Sequence, residues 1–146
     1  MDKNFDSNRV MNGTYGEVYF DDEYLAEVEE FKAEVDITYS DVSRVRNLFA
    51  GKKMTKLEGK ISIKMHHVRS NIADKVAAAV KAGKTPSYKI LGKLDDPDAF
   101  GAERAAFYAC KPSKITIFDW KNASLTEESY DFTFEDFDLL DKVEVN

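Results

Sequence analysis

The chain has 146 residues, of which 43% are hydrophobic and 33% are charged, and it contains a single cysteine. This length and balance fit one globular domain that can bury its own core, and they exclude a disordered or fibrous protein. No stretch approaches the roughly 18 apolar residues of a membrane-spanning helix, and the first residues lack the apolar segment of a secretory signal. We therefore expect a soluble protein made in the cytoplasm.

Charge is distributed unevenly along the chain. Residues 1–41 contain 3 basic and 12 acidic side chains, whereas residues 42–93 contain 13 basic and 2 acidic ones. Residues 127–146 are acidic again, with 1 basic and 8 acidic side chains. Such blocks suit either a nucleic-acid-binding surface in the basic third or complementary surfaces that meet within the fold or between subunits.

The N-terminal residues are polar and lead into a short strand. Residues 1–14 include Asn12-Gly13, which predicts a flexible arm that ends in a turn. A strand is expected at 15–20, and the acidic segment 21–23 is expected to form a tight turn after it.

Two segments, 31–39 and 57–65, alternate strictly between apolar and polar residues. A period of two predicts strands whose odd-numbered side chains, among them Phe31, Ile61 and Ile63, fill a core. The polar side chains between them then share one wet face: Glu34, Asp36, Glu58, Lys60, Ser62 and Lys64.

Residues 40–56 join these two strands without a helical period, so we expect an antiparallel hairpin that projects beyond the domain. An arm of about 10 residues would reach roughly 30 Å at ~3.3 Å per residue. Its tip would expose Val45, Leu48 and Phe49 beside Arg44 and Arg46, an arrangement that soluble monomers avoid. Another surface is therefore expected to cover the tip.

One helix is expected, beginning at Ser70 or Asn71 and closed by Gly83. Further strands are expected at 88–94, 104–110, 115–120 and 128–137, and the last strand is expected to bulge or end near Phe137 because this residue is out of phase with Phe132 and Phe134. About seven strands and one helix indicate a mainly β fold, a β-sandwich or barrel with an inserted helix.

No arrangement of residues predicts catalysis or metal binding. His66 and His67 are adjacent, so on a strand they point to opposite faces and cannot share a metal ion. Cys110 has no second cysteine to pair with and is expected to be a buried structural thiol, and the acidic loop at 95–98 lacks the residue order of an EF-hand. Nucleotide-binding and hydrolase motifs do not occur. We expect no enzyme, no cofactor and no metal site.

Three collinear stretches resemble the XkdM-like family of phage tail tube proteins. They are Lys53-Met54-Thr55, Gly101-Ala102-Glu103-Arg104 and Phe132-Thr133-Phe134-Glu135-Asp136-Phe137-Asp138. The resemblance covers nearly the whole chain after the first ten or so residues. It extends to tubes of contractile tails from Gram-positive hosts, including diffocin-like R-type bacteriocins.

This resemblance implies a single tail tube domain over residues 1–146 that forms hexameric rings, which stack into a hollow tube. It also implies a surrounding sheath protein, a baseplate that initiates the tube and a tape-measure protein inside it. DNA would pass through the lumen only if the particle is a phage. Such a subunit would be made in the bacterial host cytoplasm and assembled into a virion tail or a released tailocin particle.

In such a tube the six polar residues of the wet face are expected to line the lumen. An outer sheet that meets the sheath would show the same alternation. The tip, Arg44 to Phe49, is expected to contact the next ring, with the acidic N-terminal block or the 21–23 turn as its partner. Two other readings of the residues remain open, a barrel that binds nucleic acid and a monomeric barrel that binds a small ligand.

Overall fold

The computed structural model describes residues 6–66, 71–99 and 101–141 of the chain. Within these residues, two 3-10 helices, Ser7–Arg9 and Gly13–Tyr15, precede a mainly β fold. Its elements are β1 (Gly16–Phe20), β2 (Glu23–Tyr24), β3 (Val28–Val42), β4 (Gly51–His66), α1 (Asn71–Lys81), β5 (Tyr88–Leu94), β6 (Glu103–Ile115), β7 (Glu127–Phe134) and β8 (Asp136–Asp141). The mainly β fold with one helix and a long hairpin, predicted from the sequence, is confirmed.

The strands pair antiparallel in the order β2-β1-β5-β6-β7-β4-β3, and β8 pairs with β6 off this path. The first half of β6 pairs with β5 and β8, whereas its second half pairs with β7. Ala109, between the two halves, has a φ of 53°, a left-handed conformation that redirects the strand. β6 thereby connects sheet A (β2, β1, β5, the first half of β6, and β8) to sheet B (the second half of β6, β7, β4 and β3).

The core lies between the two sheets. Ile61, Ile63 and Met65 of β4 are buried, which confirms the alternation predicted for this strand. They belong to one hydrophobic cluster with residues of sheet A, β7 and α1, including Phe20, Ile90, Tyr130, Phe132 and Val76. Both sheets and the helix therefore depend on the same core.

The predicted helix is confirmed as α1. Gly83, just after its end, has a φ of +72°, the conformation that commonly terminates helices. Ile72 and Val76 are buried, whereas Val80, which follows Val76 by four residues, is exposed. The predicted capping residue Ser70 lies outside the described residues.

Two strand predictions near the C-terminal half were wrong. The segments 104–110 and 115–120 do not form separate strands, because β6 runs unbroken to Ile115 and passes Pro112 with a register shift before Lys114. Residues 116–126 form a loop that exposes Ile117, Phe118 and Trp120.

The predicted strand at 128–137 is divided at Glu135 into β7 and β8. Phe132 and Phe134 are buried in sheet B, whereas Phe137 pairs with Phe107 in sheet A. The strand end predicted near Phe137 is therefore confirmed. Of the acidic residues in this segment, Glu135 and Asp138 are exposed and Asp131 is partly buried.

Gly59 of β4 lies against the ring of Phe134, its cross-strand neighbour in β7. A Cβ at position 59 would lie 2.5 Å from a ring carbon of Phe134, closer than side chains pack. We expect Gly59→Ala to lower the free energy of unfolding by about 1–3 kcal/mol through overpacking, as measured by denaturant unfolding.

Gly13→Ala is the matched control, because a Cβ at Gly13 would meet nothing within 4 Å. It should change the free energy of unfolding by less than about 0.5 kcal/mol. Equal stability of the two variants would mean that Phe134 does not cover Gly59.

Candidate assembly surfaces

The β3–β4 hairpin extends beyond the core. Its strands pair from Val28 with Met65 at the base to Val42 with Gly51 at the far end. Ile37 and Leu57 are paired with each other and continue the odd-numbered apolar series, yet both are exposed. The hairpin therefore carries an apolar face past the point where its own subunit can cover it.

The hairpin tip, residues 43–50, presents apolar side chains to solvent. Leu48, Val45 and Phe49 are 105%, 92% and 81% exposed. Arg44 Nη2 donates a hydrogen bond of 3.0 Å to the carbonyl oxygen of Phe49, and the Phe49 N–H donates to Asn47 Oδ1 at 2.9 Å. The predicted tip residues, including Arg46 with a φ of 61°, are thus held together in an ordered loop.

The six residues predicted for the wet face do share one face of sheet B, opposite the core. Each is exposed except Lys64, which is partly buried. Glu34 lies opposite Lys60 and Asp36 lies opposite Glu58 on the neighbouring strand. Sheet B continues this polar face in β7, where Thr133 pairs with Lys60 and Asp131 pairs with Ser62. Lys111 of β6 pairs with Thr133 and extends the face by one more strand.

Ion pairs neutralise much of the charge on the wet face. Lys60 Nζ lies 2.9 Å from Asp36 Oδ2, and Lys64 Nζ lies 3.3 Å from Glu127 Oε2. The hydrogen bond to Asp36 raises the pKa of Lys60, and that to Glu127 raises the pKa of Lys64. Positive and negative groups interleave on this face, which disfavours the phosphate-binding track that the nucleic-acid alternative requires.

Among the described residues, one group of possible metal ligands converges, namely Glu29, His66 and Glu127. Glu29 and His66 are exposed, Glu127 is ion-paired with Lys64, and His66 Nε2 lies 3.9 Å from Glu29 Oε2. The geometry is that of a surface ion-pair cluster. The neighbouring His67 lies outside the described residues.

The Cys110 thiol is buried and donates to the carbonyl oxygen of Phe107 at 3.4 Å. Burial raises the pKa of this thiol to about 12, so it stays protonated and unreactive at neutral pH. This agrees with the structural role predicted for it.

Asp96 has a role that the sequence did not reveal. Its buried carboxylate accepts the backbone N–H groups of Asn12 and Asp98, each at 2.9 Å, and Arg9 Nη1 donates to the carbonyl oxygen of Asp98 at 2.9 Å. These bonds attach the described part of the N-terminal arm, residues 6–14, to the 95–99 loop. The sequence, in which Pro97 lies between two aspartates, indicates a loop at this position but does not indicate the contact between Asp96 and the N-terminal arm.

The sequence also did not indicate that residues 116–126 form an exposed loop. Besides Ile117, Phe118 and Trp120 it exposes Leu125. Its aromatic content favours a strand, although loops also carry such residues.

In the described parts of the chain, no helix is long and apolar enough to cross a membrane.

Solved structures of similar fold come from phage-like particles. A chain of the anti-feeding prophage cap structure, the tube-terminating cap, aligns with a TM-score of 0.71 at 9% identity, covering 93% of this chain and 94% of that one. A chain of the sheath–tube complex of the extracellular contractile injection system PVC, in its extended state, aligns at 0.66 and 11%, with 90% and 93% covered. A tail chain of a gene transfer agent aligns at 0.61 and 11%, with 90% and 100% covered. At these identities the likeness defines the class of fold.

Residues 3–141 match the family described as phage tail tube protein, and the chain belongs to that family. The phage-like element PBSX protein XkdM of Bacillus subtilis strain 168 is 29% identical over 140 residues, which are 94% of this chain and 95% of that protein. The uncharacterised protein YqbM of the same strain has the same identity and coverage. The predicted XkdM-like membership is confirmed, and the chain is a structural tail tube protein.

Proposed function

We propose that this chain assembles with itself into rings of six subunits, which stack into the hollow inner tube of a contractile phage tail or tailocin. The observation that carries the proposal is the projecting hairpin, whose tip exposes Val45, Leu48 and Phe49 almost completely. A soluble subunit with such a tip is stable against aggregation only if a specific partner surface covers it. In a family of tube proteins the natural partner is another subunit.

Lateral closure of a ring is supported by the strand order. β3 is the last strand of sheet B and pairs along its length with β4 alone among the described strands. Edge-to-edge pairing of β3 with the neighbouring subunit would close sheet B into a continuous barrel, which removes free edges. The hairpin tip would then contact the next ring through residues 44–49.

A barrel of this kind would present its wet face to the lumen. The acidic groups of this face belong to Glu34, Asp36 and Glu58. Its basic and neutral groups belong to Lys60, Ser62 and Lys64. The face offers charged and hydroxyl groups and no large apolar anchor of the kind that protein interfaces bury. We infer that it lines a water-filled channel.

The proposed particle includes partners outside the tube. The similar folds occur in a sheath–tube complex and in an anti-feeding prophage baseplate, and we infer a sheath protein around this tube and a baseplate component that initiates it. A tape-measure protein would occupy the lumen during assembly, and DNA would pass through it only in a phage. We place the whole chain, 1–146, in one domain with an N-terminal arm at 1–14 and a projecting hairpin at 40–56. We propose that this domain has no catalytic activity and no cofactor, and that it is made in the bacterial host cytoplasm.

The test is the double variant Leu48→Ser/Phe49→Ser. Each apolar anchor of an interface typically contributes about 1–3 kcal/mol, so the variant should remain folded but stay a monomer or single ring. Negative-stain imaging would measure tube length, and circular dichroism would verify the fold. The wild-type chain should form rings or long tubes.

The control Leu48→Met/Phe49→Leu keeps the tip apolar and should elongate as the wild-type chain does. Tubes of normal length from the serine variant would show that the tip is not the contact between rings.

A further inference from the structure

We propose that the tip of one subunit docks into an acid-rimmed groove on a second copy of this chain. The inference rests on the self-assembly proposed above and identifies the surface that receives the tip. The groove has a volume of about 590 Å³ and opens between the base of β3 and the strands β1, β5, β6 and β8 of sheet A. We call it the tip groove.

The walls of the tip groove are apolar and aromatic. The rings of Phe31 and Phe107 lie with their centroids 6.0 Å apart, and Leu139 of β8 adds an exposed aliphatic side chain beside them. Tyr24 and Val28 extend the wall at the base of β3. The volume falls within the roughly 300–1,000 Å³ of protein pockets that bury small ligands, which is space for side chains such as Leu48 and Phe49.

Carboxylates outnumber cations around the groove. The acidic lining residues are Glu17, Glu29, Glu30, Glu103 and Asp141, and the basic ones are Lys93 and Arg104. Arg104 Nε lies 3.3 Å from Asp141 Oδ2, so this cation is already compensated by one of the acids. The remaining excess is negative.

The tip has the opposite sign. Residues 43–50 contain Arg44 and Arg46 and no acidic residue. Apolar side chains flanked by cations thus match an apolar groove flanked by carboxylates, an arrangement that fixes orientation as well as affinity. Glu17, Glu29 and Glu30 belong to the acidic N-terminal block that the sequence suggested as the partner, whereas the 21–23 turn does not line the groove.

The tip is too far from its own groove to fill it. The groove contacts β3 between Val28 and Ala33, and the tip begins after Val42. The nine residue steps from Ala33 to Val42 span roughly 30 Å at ~3.3 Å per residue, and the β3–β4 ladder holds this segment extended. The occupant must therefore come from another copy, and because tip and groove are different surfaces the contact propagates from subunit to subunit.

Cross-linking between two cysteine variants tests this contact. Leu48→Cys and Leu139→Cys proteins are mixed before assembly and treated with a short bismaleimide once tubes have formed. A covalent dimer is expected in the mixture and not in tubes of either variant alone. The native Cys110 can stay in place because it is buried.

Leu48→Cys mixed with Leu125→Cys is the matched control, since Leu125 is exposed but lies outside the groove. Tubes that give the 48–125 dimer, or that give no 48–139 dimer, would overturn the groove as receptor while leaving tube formation intact. A wild-type chain that forms no rings or tubes would instead overturn the proposed function.

Charge exchange tests the rim independently. Glu30→Arg should shorten the tubes, and adding Arg46→Glu to the same chain, which leaves the bond from Arg44 to Phe49 in place, should restore their length. Restored length supports the pairing of rim and tip, and unrestored tubes from a folded double variant would contradict it. A 139 cross-link to a cysteine placed within residues 1–5 or 142–146 would show that a terminal segment fills the groove instead.

Discussion

Ile63→Asp is expected to prevent folding of the subunit. Ile63 is fully buried in β4 and lies between Phe31 of β3 and Tyr130 of β7. A carboxyl group there would have no partner, and such a burial costs about 3–5 kcal/mol, a large part of the roughly 5–15 kcal/mol that stabilises a domain. Insoluble protein, or refolded protein without a cooperative unfolding transition, is the expected result in solubility and circular dichroism measurements.

Ser62→Asp is the matched control, because it introduces the same side chain one residue away on the wet face. Ser62 is exposed, so the free energy of unfolding should change by no more than about 0.5 kcal/mol. A soluble and cooperative Ile63→Asp protein would show that the odd-numbered side chains of β4 do not face the core. The assignment of the wet face would then be wrong as well.

The alternation of β3 and β4 could be predicted because a strand with one buried face must repeat every two residues. The pattern identifies which face is apolar, but it does not identify what covers that face. Ile61 is covered by the subunit's own core, whereas Ile37 and Leu57 follow the same pattern and are exposed. That difference depends on where sheet A ends, which no local pattern contains.

The path of β6 could not be predicted for a related reason. Proline lacks a donor for the β-ladder and is rare inside paired strands, yet Pro112 lies within β6. The structure accommodates it with a register shift and continues the pairing with β7. The aromatic residues that follow were assigned to a strand by their propensity, although Phe118 and Trp120 lie in an exposed loop.

The tip and the tip groove also differ in how far the sequence could predict them. The tip could be predicted because its residues are contiguous and lie in the turn of a recognisable hairpin. The tip groove could not, since Phe31, Phe107 and Leu139 come from three strands that are distant in sequence and meet only through the closure of sheet A against β3. Only part of its acidic rim was visible in the sequence, because Glu17, Glu29 and Glu30 lie in the acidic N-terminal block, whereas Glu103 and Asp141 are brought to the rim by the fold.

Truncation after Thr126 is expected to give insoluble protein. It removes β7, which lies between β4 and β6 in sheet B, together with the buried side chains of Tyr130, Phe132 and Phe134. Loss of one buried aromatic side chain alone costs about 3–5 kcal/mol. The remaining strands would also present two unpaired edges, which favours aggregation.

Truncation after Glu135 separates folding from assembly. It keeps β7 and removes β8, whose Phe137, Leu139 and Leu140 are all partly solvent-exposed, so a soluble but less stable subunit is expected. The same truncation removes Leu139 and Asp141 from the tip groove, and it should therefore stop tube elongation. Rings and tubes from the chain that ends at Thr126 would mean that β7 is not part of the subunit's core. Normal tubes from the chain that ends at Glu135 would mean that the wall supplied by β8 is not needed to receive the tip.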